Sequence, residues 1–192
     1  MSYDSIIGHA RIIDRLRSTA RSGKVAGAYL FSGPEGIGKR LVARTFAQTL
    51  LCERNDGYPC SRCADCSFFL RSAHPDFSEP LLEEKKKVIE LDHLHLHIDT
   101  LALKPAMARK RVVFIDPADK LSGEGMNTLL KTLEEPPTHA VVILVTSVPS
   151  ALLPTIHSRC HALKFHHLSR SDLLRILTER CAIDASLADK AS

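Results

Sequence analysis

Tyr29-Leu30-Phe31-Ser32-Gly33-Pro34-Glu35-Gly36-Ile37-Gly38-Lys39-Arg40 passes from an apolar run through three glycines to a lysine, just before a helical pattern begins. Gly33 and Gly38 allow backbone angles that other residues resist, so successive N–H groups can turn toward phosphate oxygens, with Lys39 and a helix N-terminus adding positive charge. The G-x-x-x-x-G-K spacing is that of a Walker A phosphate-binding loop. Its candidate contact residues are Gly33, Pro34, Glu35, Gly36, Ile37, Gly38, Lys39 and Arg40. One position departs from the signature: Arg40 stands where a Ser or Thr hydroxyl would hold Mg²⁺. The loop is expected to hold phosphate and to handle a metal badly.

Outward from this loop, apolar runs alternate with helical patterns. Ile12, Ile13, Leu16 and Ala20 follow Gly8 at helical spacing, Ala28–Phe31 reads as the first strand, and Leu41, Val42, Thr45, Phe46, Thr49 and Leu50 mark the buried stripe of a helix running from Gly38 into Cys52. Asp76–Leu82 and Lys86–Leu91 have strand-like content, and Asp92 is a plausible N-cap for a helix through Leu94, Ile98 and Leu101 that Pro105 stops. Arg111–Asp116 is an apolar strand ending in a carboxylate. A helix from Gly123 to Glu135 halts at Pro136-Pro137, a strand spans Val141–Thr146, and Ala162–Phe165 is placed to close the sheet. Strands alternating with helices predict an α/β domain whose parallel sheet is covered on both faces.

Composition shifts at Leu168. Ser169 with Asp172 reads as a capping box opening a further helix, and another begins near Ala185. The expected organisation is a nucleotide-binding-like domain over 1–167, with a cysteine module inserted at 52–66, and a helical lid beginning at 168 and cut short at 192. At 192 residues, 44% hydrophobic and without a long apolar run, the chain reads as a globular protein with no membrane partner. Its first residues lack the basic start and apolar stretch of a secretory signal, which predicts a cytoplasmic protein. The net charge of +4 draws on Arg11, Arg15, Arg17, Arg21 and Lys24 and on Lys104, Arg109, Lys110 and Arg111. Such clusters suit nucleic acid but commonly form solvated faces, and the absence of Trp advertises no base-stacking surface.

Three constellations carry chemistry. Cys52, Cys60, Cys63 and Cys66 form C-x7-C-x2-C-x2-C, close enough to gather four thiolates around one ion. Structural zinc is the favoured occupant, because a closed S₄ shell is usual for it. An iron–sulfur cluster is the rival, although ferredoxin motifs place the fourth cysteine downstream. Cys160 and Cys181 stand apart as ordinary buried thiols, and of His93, His95 and His97 only the first and last share a helical face, which favours surface histidines over a metal site.

The second constellation is Asp116-Pro117-Ala118-Asp119, at a strand end where nucleotide hydrolases need two acids. Asp116 can orient toward Mg²⁺, Pro117 carries no carboxylate to serve as general base, and Asp119 is expected to face elsewhere. The third is Ser158-Arg159-Cys160. From the tripeptide alone, an arginine paired on its own surface is the simpler reading; an exposed one can also reach a phosphate in a neighbouring subunit.

Together, Ile7-Gly8, Ala28–Gly33, the cysteine insertion, Asn127–Pro137, Leu153-Pro154-Thr155-Ile156 and Ser158-Arg159-Cys160 resemble the clamp-loader family of the bacterial DNA polymerase III holoenzyme, within the AAA+ class, across essentially the whole chain. Motor subunits of that family keep Thr after the loop lysine and Asp-Glu at the acidic strand end, so Arg40 and Pro117 mark a non-motor member. The resemblance implies a stator without its own ATPase turnover that gives Arg159 in trans to a neighbouring motor ATP site. Its implied partners are the motor and delta subunits, and within the assembly the sliding clamp and primed DNA. It also makes Thr146 the sensor 1 position, places Ile6 and Ile7 near an adenine, and leaves ATP or ADP binding at Lys39 open. Two alternatives stand beside it: an active gamma/tau-like motor ATPase, and a zinc-dependent nucleic-acid-binding module in which the glycine loop is a relic.

Overall fold

Three apolar runs without alternation lie at the centre of the molecule, as strands covered on both faces must. The structure is a computed structural model that describes residues 2–80, 82 and 88–180. In chain order the elements are α1 (Ala10–Ser22), β1 (Ala28–Ser32), α2 (Lys39–Leu51), α3 (Ala64–Leu70), β2 (Phe77–Ser78), α4 (Leu91–Asp99), β3 (Arg111–Ile115), α5 (Gly123–Glu134), β4 (Ala140–Thr146), α6 (Pro154–Arg159), β5 (His161–Lys164) and α7 (Arg170–Arg180). Among the described residues there are five strands, all parallel, in the order β2-β3-β4-β1-β5. Every residue of β1, β3 and β4 is buried.

Alternate strand residues feed two cores. Tyr29, Phe31, Val112, Phe114, Val141, Ile143 and Val145 pack with α1, α2 and Phe69 of α3, whereas Leu30, Val113, Ile115, Val142 and Leu144 pack with α4, α5 and Ile156 of α6. The result is a helix–sheet–helix sandwich. Each fully buried Phe or Leu contributes roughly 1.5–3 kcal/mol of transfer free energy to this arrangement. Among the described residues no helix is long and apolar enough to cross a membrane.

The opening helix, the loop-to-helix transition, and the three long strands stand where the sequence places them. The segment after the cysteines differs. Among the described residues of Asp76–Leu82 only Phe77–Ser78 form a strand, β2; the carboxylate of Asp76 just before it accepts from the N–H groups of Ala106, Met107 and Ala108, and Pro80 beyond it cannot donate to a ladder. In the second strand-like stretch, Ile89 makes an isolated parallel bridge to Leu121 and Leu91 already begins α4, while residues 83–87 lie outside the description. The N-cap of α4 is Glu90 rather than Asp92, which instead sits in the first turn, where a carboxylate complements the helix dipole. Of the capping box at the domain shift the N-cap half is observed, with Ser169 Oγ accepting from Asp172 N at 3.1 Å and donating to Asp172 Oδ2 at 2.8 Å as it opens α7. The helix expected near Ala185 and Cys181 lie outside the described residues.

Arg111 departs from the surface role given to the mid-chain basic cluster. It is 8% exposed and pairs at 2.9 Å with Asp76, which is 1% exposed, so this cation joins β3 to the β2 edge from within. Burial alone would raise the Asp76 carboxyl, but the three N–H donors and Arg111 outweigh it and hold the group below the usual carboxylate range.

Candidate functional site

The glycine loop leaves the C-terminal end of β1 and enters α2, beside the ends of β3 and β4, where open parallel sheets place their ligands. Gly33 is required by a close approach: at φ +150°, an added Cβ would lie 2.4 Å from the Phe165 carbonyl oxygen as the chain leaves β5. Gly38 has φ +95° and turns the chain into the first N–H groups of α2. Beside the loop is a cavity of about 670 Å³ lined by Glu35, Gly36, Gly38, Lys39, Arg40, Leu41, Arg44, Asp116, Pro117, Val145 and Ser147. A second cavity of about 210 Å³ shares Gly36, Gly38 and Leu41 and is closed by Ile6, Ile7, Leu168 and Ile176. The first cavity carries the cations Lys39, Arg40 and Arg44 beside the acids Glu35 and Asp116, and the second is lined mainly by aliphatic side chains, a division compatible with a nucleotide's phosphates and base.

Lys39 is 5% exposed, and its Nζ donates to Pro34 O at 2.5 Å and to Ser147 Oγ at 3.1 Å. Burial pulls its pKa below the usual lysine value, against the attraction of Asp116, Glu35 and Asp119. Thr146, the expected sensor, does not line the cavity. Its hydroxyl donates to Asp119 Oδ1 at 2.7 Å and accepts from Val148 N at 3.0 Å, so its single proton is already committed. The neighbouring Ser147 is what meets the loop lysine. Asp119 is thereby turned to the end of β4 and away from the cavity wall, as expected from its offset in sequence.

The acidic end holds an ion cluster. Arg40 donates through Nη1 to Asp116 Oδ2 at 2.7 Å and through Nη2 to Glu79 Oε1 at 2.6 Å, and the other oxygen of Glu79 accepts from Arg44. Arg44 is also seated 5.4–5.8 Å from the ring centroids of Phe69, Phe77 and Phe114. Asp116 has its pKa raised, since burial and the like charge of Glu79 outweigh Arg40 and Lys39. Pro117 lines the cavity without offering an acid. Sequence reading missed Glu79, Arg44 and Ser147. Arg44 lies one helical turn after Arg40 and was findable, whereas nothing local marks Glu79, 39 positions away.

Arg159 ends α6, at an edge of the sheet remote from the loop in sequence. Its side chain is 33% exposed, bonded to Glu134 Oε1 at 2.8 Å and to Thr155 O at 3.2 Å. The surface-paired reading therefore describes this chain on its own.

The four cysteines converge. Their Sγ atoms all lie within 4.8 Å of one another, with Cys52–Cys63 at 4.0 Å and Cys60–Cys66 at 3.9 Å. Tetrahedral zinc with Zn–S bonds of about 2.3 Å requires S···S separations of about 3.8 Å, so the set fits a four-thiolate ion and is far too open for disulfides. The N–H groups of Cys60, Cys63 and Cys66 each donate 3.4 Å to the preceding sulfur of the set. Against its burial, N–H donors of Arg62 and Cys63 bring the Cys60 thiol down to about 6, whereas burial pushes Cys66 up. Among the described residues this is the sole cluster of three or more potential metal ligands, so the histidines of α4 form none. His93 and His95 are exposed, and His97 is held below its usual pKa by burial and by His93.

The fold is the one shared by AAA domains. It superposes on the AAA domain of FIGL-1, solved in complex with ADP, with a TM-score of 0.63 at 16% identity over 98% of this chain and 65% of that one. It superposes on a DNA polymerase III gamma subunit-related protein from Thermotoga maritima with a TM-score of 0.59 at 22% identity, over 92% and 58% of the two chains. The family model for the DNA polymerase III delta subunit matches residues 8–169, and the chain belongs to this clamp-loader family. It is 38% identical to DNA polymerase III subunit delta' of Pseudomonas aeruginosa over 70% of this chain and 42% of the relative. It is 35% identical to subunit gamma of Buchnera aphidicola over 92% and 48%. The chain thus spans less than half the length of these curated relatives.

Proposed function

We propose that the chain is a delta-prime-type stator of the DNA polymerase III clamp loader, which does not hydrolyse ATP and supplies Arg159 in trans to the ATP site of a neighbouring motor subunit. The observation that carries this reading is the acidic end of its own loop. Asp116 is occupied by Arg40, and Pro117 stands where a general base is needed to activate water. A chain with this site contributes to turnover through another subunit's chemistry. Arg159 is suited to that role, because its guanidinium cannot lose its charge and is held by one exposed carboxylate and the Thr155 carbonyl, both of which a phosphate can outcompete.

In this reading the partners are the motor and delta subunits, and the assembly places the sliding clamp on primed DNA in the cytoplasm. ATP or ADP bound at Lys39, with its base against Ile6 and Ile7, has a structural role only. Residues 1–167 form the nucleotide-binding-like domain, and α7 begins the lid. The cysteine module holds structural zinc, a closed shell with no open coordination position. Metal analysis of the purified protein, giving one zinc per chain and no iron or acid-labile sulfide, supports that assignment; iron with sulfide reverses it.

The deciding experiment is clamp- and DNA-stimulated ATP hydrolysis by a loader reconstituted with the full-length protein. Arg159→Ala is expected to lower hydrolysis sharply at equal assembly, and Lys39→Ala to leave it nearly unchanged. The opposite pattern makes the chain a motor of the gamma/tau type.

A further inference from the structure

At a P-loop, Mg²⁺ is held by the hydroxyl after the loop lysine and by the strand-end aspartate, with phosphate oxygens and water completing an octahedron at about 2.0–2.1 Å. This chain departs at both protein ligands through one side chain. Arg40 replaces the hydroxyl, and its guanidinium lies 2.7 Å from Asp116 Oδ2. The residues present therefore do not fit the ion, which would have to displace a guanidinium from Asp116 while lacking its second protein ligand.

Nor is that guanidinium loosely placed. Glu79 binds it at 2.6 Å and is itself held by Arg44, which three phenylalanine rings surround. Its charge persists across the physiological pH range. Even so, the Arg40 side chain is 51% exposed and lines the 670 Å³ cavity, leaving part of the group open to a ligand. Lys39 lines the same cavity, and its bonded partners, Pro34 O and Ser147 Oγ, are neutral acceptors that a phosphate oxygen can replace.

We propose that Arg40 is the resident cation of this loop, so that the pocket takes a nucleoside di- or triphosphate in its metal-free form. Lys39, Arg40 and the N-terminus of α2 meet the phosphates, and the aliphatic cavity receives the base. The inference deepens the stator reading and rests on it for a loop that binds without turnover.

Equilibrium binding of a fluorescent ADP to the purified full-length protein tests it. Titrations are run with Mg²⁺ and in Mg²⁺-free buffer, without a chelator that would strip the cysteine site. The unmodified protein is expected to bind at least as tightly without Mg²⁺ as with it, and Lys39→Ala to weaken binding about tenfold or more. Arg40→Thr, confirmed folded by a single cooperative melt at whatever midpoint, should reverse the metal response and bind about tenfold more tightly with Mg²⁺ than without. Mg²⁺ tightening of the unmodified protein by that factor overturns the proposal, as does metal indifference in Arg40→Thr or an absence of ADP binding under both conditions. These outcomes are independent of the loader assay. Mg²⁺-dependent ADP binding together with a loss of hydrolysis in Arg159→Ala would sink the resident-cation inference and leave the stator intact.

Discussion

Arg40 and Arg159 are both paired with acids, and the difference between their settings lies in how deeply those acids are buried. Arg40 is shared by two carboxylates whose side chains are 12% and 13% exposed. Arg159 has one, Glu134, whose side chain is 54% exposed. Removing water from a carboxylate makes its unpaired state costly, so the Arg40 cluster resists opening. A solvated pair is worth little and can be exchanged for a better anion. Arg40, although its side chain is 51% exposed, is thus anchored by two buried acids, whereas Arg159, 33% exposed, is held to a solvated one.

The largest effect that can break this contrast is on catalysis. Arg159→Ala should lower hydrolysis at the adjoining motor site by about three or more powers of ten, equivalent to about 4 kcal/mol or more, with little change in the melting of the protein itself. A single-turnover measurement at that site, showing an undiminished rate, would return Arg159 to the role of a surface ion pair. Next is a more deeply buried pair, Arg111 with Asp76, which extends the scale beyond Arg40. Asp76→Asn should destabilise the fold by about 3 kcal/mol at neutral pH in a denaturant titration. Because the folded pKa of Asp76 is depressed, its contribution is present above the ordinary carboxylate value and is lost as pH falls through the depressed value, so variant and parent should converge in acid.

Arg40→Ala should cost about 2 kcal/mol at neutral pH, since it strands Asp116 while Glu79 keeps Arg44. The pH response here has a different origin. Asp116 has a raised folded pKa, so its charged form weakens the fold as pH rises through that value, and protonation relieves the loss in acid. An Arg40→Ala deficit that is constant from pH 7 down through the carboxylate range would contradict the assigned pairing. Smallest is Glu134→Gln, which should move stability by no more than about 0.5 kcal/mol. A melt shift well beyond that would mean that Arg159 is locked as firmly as Arg40.

Much of this was legible because it is local. Glycine spacing, Lys39 and the following apolar stripe specify a strand, a phosphate loop and a helix within a few turns of chain. The cysteine spacing likewise forces four sulfurs together, since Cys60, Cys63 and Cys66 lie within seven residues and Cys52 closes α2. The two-residue β2 was illegible, because the partners that consume Asp76 lie 30 to 32 positions away. Thr146 shows the limit within a single residue pair. The family resemblance marked it for the site; in the structure its hydroxyl bonds Asp119 and the next residue, Ser147, meets Lys39.

By itself the sequence determined the alternating α/β order, the phosphate loop, the four-thiol cluster, and the absence of a general base after Asp116, because each follows from residue types at short spacing. Only the tertiary structure decided what Arg40 does. Parallel pairing of β2 with β3 carries Glu79 to the end of α2, and there one guanidinium spans two carboxylates separated by 37 positions in the chain. Charge pairing across such a distance depends on strand order and register, which no local pattern of side chains encodes.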